Sequence, residues 1–180
     1  RMSLKRDNAI KNALERVIST FEKRPVAAQK LQKSSLRLED GLVCEFRQGE
    51  QTLLLDQPAP MGGDGKGPTP GFFGRAAIAG CLAQGIKMTA ARREIPIAAI
   101  TIDLEQDVDG RGALAMDGIY AGALDLRIVI GIESEAPRDV IQSVIDDTIE
   151  ADTWLLNYRD AQKLSTSVVV SAPKAKDPAE

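Results

Sequence analysis

The sequence predicts a single α+β domain, and three observations carry that prediction. Two long stretches, about 70–93 and 137–151, read as helices. Several shorter stretches alternate apolar and polar residues, as strands with one face on a core do. Their order is strands, long helix, strands, second helix and final strand, which is not the βαβ alternation of a parallel sheet. A chain of 180 residues with 43% hydrophobic content can bury one ordinary core.

Residues 6–23 predict an amphipathic helix. Ile10, Ala13, Leu14, Val17, Ile18 and Phe21 fall on one face, and Pro25 ends it. Short strands follow over about 34–56, with Leu42, Cys44 and Phe46 sharing a face that points to core packing for Cys44. Residues 57–70 are dense in glycine and proline and predict a loop. Thr69 then caps the next helix, with Pro70 at its first position, where a missing N–H costs nothing.

Ile100, Ile102 and Leu104 alternate in one strand, and Leu124, Leu126, Ile128, Ile130 and Ile132 in another. The glycine-bearing stretch between them reads as a long hairpin connection or as including a further strand. The helix opened by Pro137 carries Val140, Ile141, Val144, Ile145 and Ile149 on one face and bends near 151–155. A last strand is predicted over Leu164–Val170. The organisation is therefore a helix and linker over 1–33, a main domain over 34–172 and a disordered tail over 173–180.

Composition excludes several classes of function. The chain has no histidine, which removes Ser–His–Asp and Cys–His nucleophile pairs and histidine-ligated zinc. Two cysteines, Cys44 and Cys81, cannot build a zinc site or a disulfide framework. A net charge of −3 gives no electrostatic reason to expect nucleic acid or an anionic membrane as partner. The N-terminal stretch lacks the apolar run of a secretory signal, so a cytoplasmic location is the expectation. The loop GGDGKG lacks the phosphate-binding spacing GxxxxGK[ST].

The helix over 70–93 is crowded with small residues, including Gly71, Gly74, Ala77, Gly80 and Gly85. Each glycine costs roughly 1 kcal/mol against alanine in helix propensity. Close approach of another backbone is the usual compensation, and this helix is expected to be fully buried against the one over 137–151. Cys81 lies mid-helix, with uncharged Ala77, Ile78, Gln84 and Gly85 one turn away. Arg75, about 120° around the helix from Cys81, cannot readily pair with it. Activation of this thiol would require a group from another element, with Arg37, Arg47 or an arginine of a second subunit as candidates.

The run DQPAPMGGDGKGPTP over 56–70, followed by AIAGC over 77–81, resembles the OsmC/Ohr-like family of osmotically inducible and organic hydroperoxide resistance proteins. The resemblance implies an intertwined homodimer, with antiparallel sheets wrapped around two long central helices and sites at the subunit interface. It also implies reduction of organic hydroperoxides by a peroxidatic cysteine, which Cys81 matches, with no cofactor. Three features of the peroxidase branches are missing. Residues 151–158, ADTWLLNY, hold no resolving cysteine; Gly71 stands after Pro70 in place of a glutamate; and no thiolate-binding arginine is identifiable, with Asp56 in its general area. The expectation is a single-cysteine hydroperoxide reductase using an external thiol. The alternative is a dimeric shell that binds a small ligand without catalysis.

Overall fold

A computed structural model describes residues 2–172. The disordered tail expected over 173–180 lies outside the described residues. The first helix, α1 (Met2–Lys23), packs along the central helix α2 (Pro70–Arg92). Its half-buried face carries Ile10, Leu14, Ile18 and Phe21, as the spacing predicts, whereas Val17 stays exposed. Polar links fix its placement. The Lys87 ammonium of α2 lies 2.8 Å from the Asp7 carboxylate and also donates to the Ile97 carbonyl at 2.8 Å. Lys11 pairs with Glu94 at 2.8 Å.

Strands β1 (Ser35–Leu38), β2 (Cys44–Gln48) and β3 (Gln51–Leu55) form an antiparallel sheet in that order. Cys44 stands opposite Leu38 on one side and Leu55 on the other. It is only half-buried, and its thiol donates to the Leu42 carbonyl at 3.5 Å. The core packing expected for it is therefore incomplete, because Leu36, Leu38, Leu42 and Leu54 around it are exposed.

The glycine-rich loop is wound around Asp56, which is 1% exposed. Its carboxylate accepts from the N–H groups of Gln57 (2.7 Å), Asp64 (3.0 Å) and Lys66 (2.9 Å). The cradle of amides that could have held a phosphate is thus filled by the chain's own carboxylate. A Cβ on Gly63 would lie 1.8 Å from the Gln57 carbonyl oxygen, and one on Gly67 2.7 Å from that of Leu54. Those two positions exclude any side chain.

Strands β4 (Ala99–Val108) and β5 (Ala123–Glu133) make a second antiparallel pair, with Ile100 opposite Ile132 and Ile102 opposite Ile130. Their connection contains a short helix, α3 (Gly110–Ala113), and no further strand. The isoleucines pack on Ile86, Ala90, Ile97 and Val144. Val144 belongs to α4 (Arg138–Ala151), which crosses α2. Each such side chain contributes about 1.5–3 kcal/mol on full burial, so this β4–β5–α2–α4 sandwich is the stable body of the chain.

Two expectations are corrected. The central helix is buried on one face only: Ile78, Leu82 and Ile86 are at most 1% exposed, while Phe72 and Met88 are 52% and 41% exposed. Its glycines divide accordingly, with Gly85 against α4 and nothing within 4 Å of a Cβ on Gly80. The final strand is also absent, because residues 164–170 have no sheet edge beside them among the described residues; Leu164, Val168, Val169 and Val170 are 87–91% exposed. No helix among the described residues is long and apolar enough to cross a membrane.

Candidate functional site at Cys81

Helix α4 ends at Ala151 because Asp152 adopts an extended conformation (φ −77°, ψ 113°). The Asp152 carboxylate caps the next helix, α5 (Thr153–Arg159), by accepting the Leu155 N–H at 2.9 Å. A side-chain oxygen at this position satisfies an amide that the helix itself cannot. The resulting corner turns Asp152, 4% exposed, toward α2, where its second oxygen lies 3.9 Å from a Cβ placed on Gly85. Glycine at 85 is what lets α4 itself come close, since a Cβ there would lie 2.9 Å from the Thr148 methyl.

Cys81 is half-buried on the same side of α2 and faces this corner. A groove of about 360 Å³ runs past it. Leu14 and Ile18 of α1 form one wall, Gly85 and Met88 of α2 the floor, and Asp152 the end nearest the corner. A larger groove of about 510 Å³, between β5 and α5, contains neither cysteine.

The electrostatics of the thiol are mixed. Burial pushes the Cys81 thiol above its ordinary value, and the Trp154 backbone N–H pulls it down. The Asp152 carboxylate pushes it up again, and the Thr153 N–H pulls it down; the balance is upward. Two amides therefore favour negative charge on sulfur, while one carboxylate disfavours it.

The arginines expected as activators are elsewhere. Arg37 donates to Glu39 through Nε at 2.7 Å, and Arg47 is held by Glu45, both along the exposed three-stranded sheet. Neither lines the groove. Arg75 reaches the other way, 3.4 Å from Gln106 of β4. Sequence reasoning missed Asp152; its one signal was an aspartate followed by Thr153, Trp154 and Leu155 at the bend after the second long helix.

Residues 63–153 match the model of the family described as OsmC-like protein. No curated protein matches. Among solved structures, an OsmC-like protein from Mycoplasma pneumoniae superposes with a TM-score of 0.62 at 17% identity, covering 73% of this chain and 89% of that one. A putative osmotic stress induced and detoxification response protein from Psychrobacter arcticus 273-4 gives 0.55 at 18%, covering 71% and 88%. An organic hydroperoxide resistance protein from Legionella pneumophila gives 0.52 at 15%, covering 72% and 90%. At these identities the structural likeness is one of fold.

Proposed function

Since the chain belongs to the OsmC-like protein family, we propose that it reduces an organic hydroperoxide through Cys81, with a small external thiol as reductant. One observation carries this reading: Cys81 opens on an apolar groove beside a carboxylate and two backbone amides. The Legionella protein's name, organic hydroperoxide resistance protein, supports it.

The chemistry divides among these groups. Asp152 accepts the thiol proton as the Cys81 sulfur attacks the distal peroxide oxygen. The Thr153 and Trp154 amides hold the charge developing on sulfur. The O–O bond breaks, the alcohol leaves with the proton from Asp152, and Cys81 becomes a sulfenic acid. An external thiol condenses with it, releasing water and forming a mixed disulfide. A second thiol displaces Cys81 and leaves as the oxidised disulfide. Cys44 does not line the groove, so resolution falls to the external thiol, which suits a reducing compartment such as the cytoplasm.

The upward-shifted thiol favours a second reading. Among the described residues no cation stands beside the Cys81 sulfur, so little thiolate exists at neutral pH. A shell that binds a small ligand needs no thiolate. Trapping with a sulfenic acid reagent after one equivalent of organic hydroperoxide at pH about 7 separates the two. Catalysis requires rapid labelling at Cys81, little at Cys44, and loss of labelling in a folded Cys81→Ser protein. An unlabelled wild type, with no thiol-dependent peroxide consumption, leaves the binding shell.

The proposal includes a homodimer. The exposed leucines of the three-stranded sheet and the unpaired Leu164–Val170 segment support it, since each lacks a partner among the described residues.

A further inference from the structure

Helix α1 is gripped at one end by charge. Its apolar residues Ile10, Ala13, Leu14, Ile18 and Phe21 are all half-buried, and Asp7 is the only buried residue among its described side chains. The Asp7 carboxylate lies 2.8 Å from the Lys87 ammonium, which is itself oriented by donating to the Ile97 carbonyl. One turn further along α1, Lys11 meets Glu94, just past the end of α2, at 2.8 Å.

Beyond Lys11 the grip changes. Leu14 and Ile18 continue the line of Asp7 and Lys11 at intervals of three and four residues, so all four share one side of the helix. These two side chains wall the Cys81 groove. Among the described residues, no side-chain hydrogen bond or ion pair joins residues 12–23 to another element. The chain then leaves α1 through the turn Pro25–Ala28 and the exposed, irregular residues 29–34. A stiff helix held near one end and tethered by an exposed linker at the other is a hinged wall. Leu14 is two turns, about 10.5 Å, from Asp7, so a tilt about Asp7 is carried straight to the groove.

We infer that α1 is a latch over Cys81, with the Asp7–Lys87 pair as its pivot and the Lys11–Glu94 pair as its catch, and that rising ionic strength releases the catch. The two pairs differ as those parts require. Glu94 is 70% exposed, so salt screens its pair with Lys11, whereas Lys87 and Asp7, 29% and 11% exposed, are screened less and keep the helix attached. This deepens the reading of Cys81 as the reactive thiol, on which its consequence rests: the latch regulates how readily solutes reach the sulfur.

The test applies two thiol reagents to the full chain, small iodoacetamide and bulky fluorescein maleimide, with labelling at Cys81 and Cys44 resolved by peptide mass spectrometry. Both reagents attack through the thiolate. The ratio of bulky to small labelling rates at Cys81 therefore cancels changes in ionisation and reports the width of the opening. In wild type that ratio should rise about threefold as sodium chloride goes from about 0.05 M to about 0.5 M. Lys11→Glu turns the attraction into repulsion and should give the raised ratio already at low salt, without a further rise. Lys11→Glu with Glu94→Lys rebuilds the pair reversed and should restore both the low ratio and its rise with salt. The ratio at Cys44, outside the groove, should stay constant throughout. A wild-type ratio unmoved by salt, an unchanged ratio in Lys11→Glu, or a reversed pair that restores nothing overturns the latch. Labelling requires no peroxide, so the two readings fail separately. Rapid sulfenic acid formation with a ratio indifferent to Lys11 overturns the latch alone, and a working latch without sulfenic acid overturns the reduction alone.

Discussion

Gly85 of α2 and Thr148 of α4 meet so closely that a Cβ on the glycine would lie 2.9 Å from the threonine methyl. The methyl cannot easily move, because the Thr148 hydroxyl donates to the Val144 carbonyl at 2.8 Å. Gly85→Ala gains about 1 kcal/mol in helix propensity but forces an overlap costing about 1–3 kcal/mol. A net loss of stability by urea denaturation is expected. Thr148→Ser removes the methyl and keeps the hydroxyl, so the double variant should recover most of that loss. A stabilised Gly85→Ala single variant would show that the helices do not meet there.

Asp152 has opposed effects on Cys81, and substitution separates them. Its charge raises the thiol pKa, so Asp152→Asn should move the titration of Cys81 downward. Asparagine still caps α5 and should preserve the corner. More thiolate would then coincide with slower sulfenic acid formation, because the proton acceptor is gone. A faster reaction in Asp152→Asn would assign the carboxylate a purely inhibitory effect on the thiol. Thiolate absorbance against pH, with oxidation rates on the same samples, checks both.

The Asp56 carboxyl is held below its ordinary value, chiefly by the Lys66 N–H, with the Gln57, Asp64 and Gly65 amides adding to it. A carboxyl depressed in the folded state contributes stability above its unfolded pKa of about 4. That contribution is lost as pH falls through the lower folded value. Asp56→Asn should be less stable than wild type at neutral pH, and the gap should narrow on acidification. Urea midpoints measured from neutral pH down to below about pH 3 test this, and a gap constant with pH would remove Asp56 as the loop's anchor.

The sequence made the body of the fold legible where local chemistry and tertiary packing agree. Thr69 accepts from the Phe72 N–H at 3.4 Å, as the Thr-Pro pair predicts, and the alternation over Ile100–Leu104 and Leu124–Ile132 became the β4–β5 pair. Cys81 could be singled out from its helix, but Asp152 could not be joined to it. Their encounter depends on the α2–α4 crossing at Gly85, which no local pattern encodes. Arg37 and Arg47 read as free cations because pairing with Glu39 and Glu45 is a matter of rotamer. Leu164–Val170 has the β-branched content of a strand, yet propensity does not supply the edge a strand needs.

That missing edge leads to the prediction about assembly. Strands are stable only when their amides are paired, and a row of exposed valines with no strand beside it among the described residues invites a second chain. Light scattering at micromolar concentration should therefore give about twice the 19.4 kDa chain mass. Successive residues of a strand direct their N–H groups to opposite sides. Replacing both Val168 and Val169 with proline thus removes a donor from either side, whichever edge is used. Because both side chains are 87–91% exposed in the chain, the double variant should keep its helical signal. Its dimer should dissociate at higher concentration than wild type. A wild type that scatters as a monomer would sink the homodimer, whereas an undiminished dimer in the double variant would place the interface elsewhere, on the exposed leucines of β1–β3.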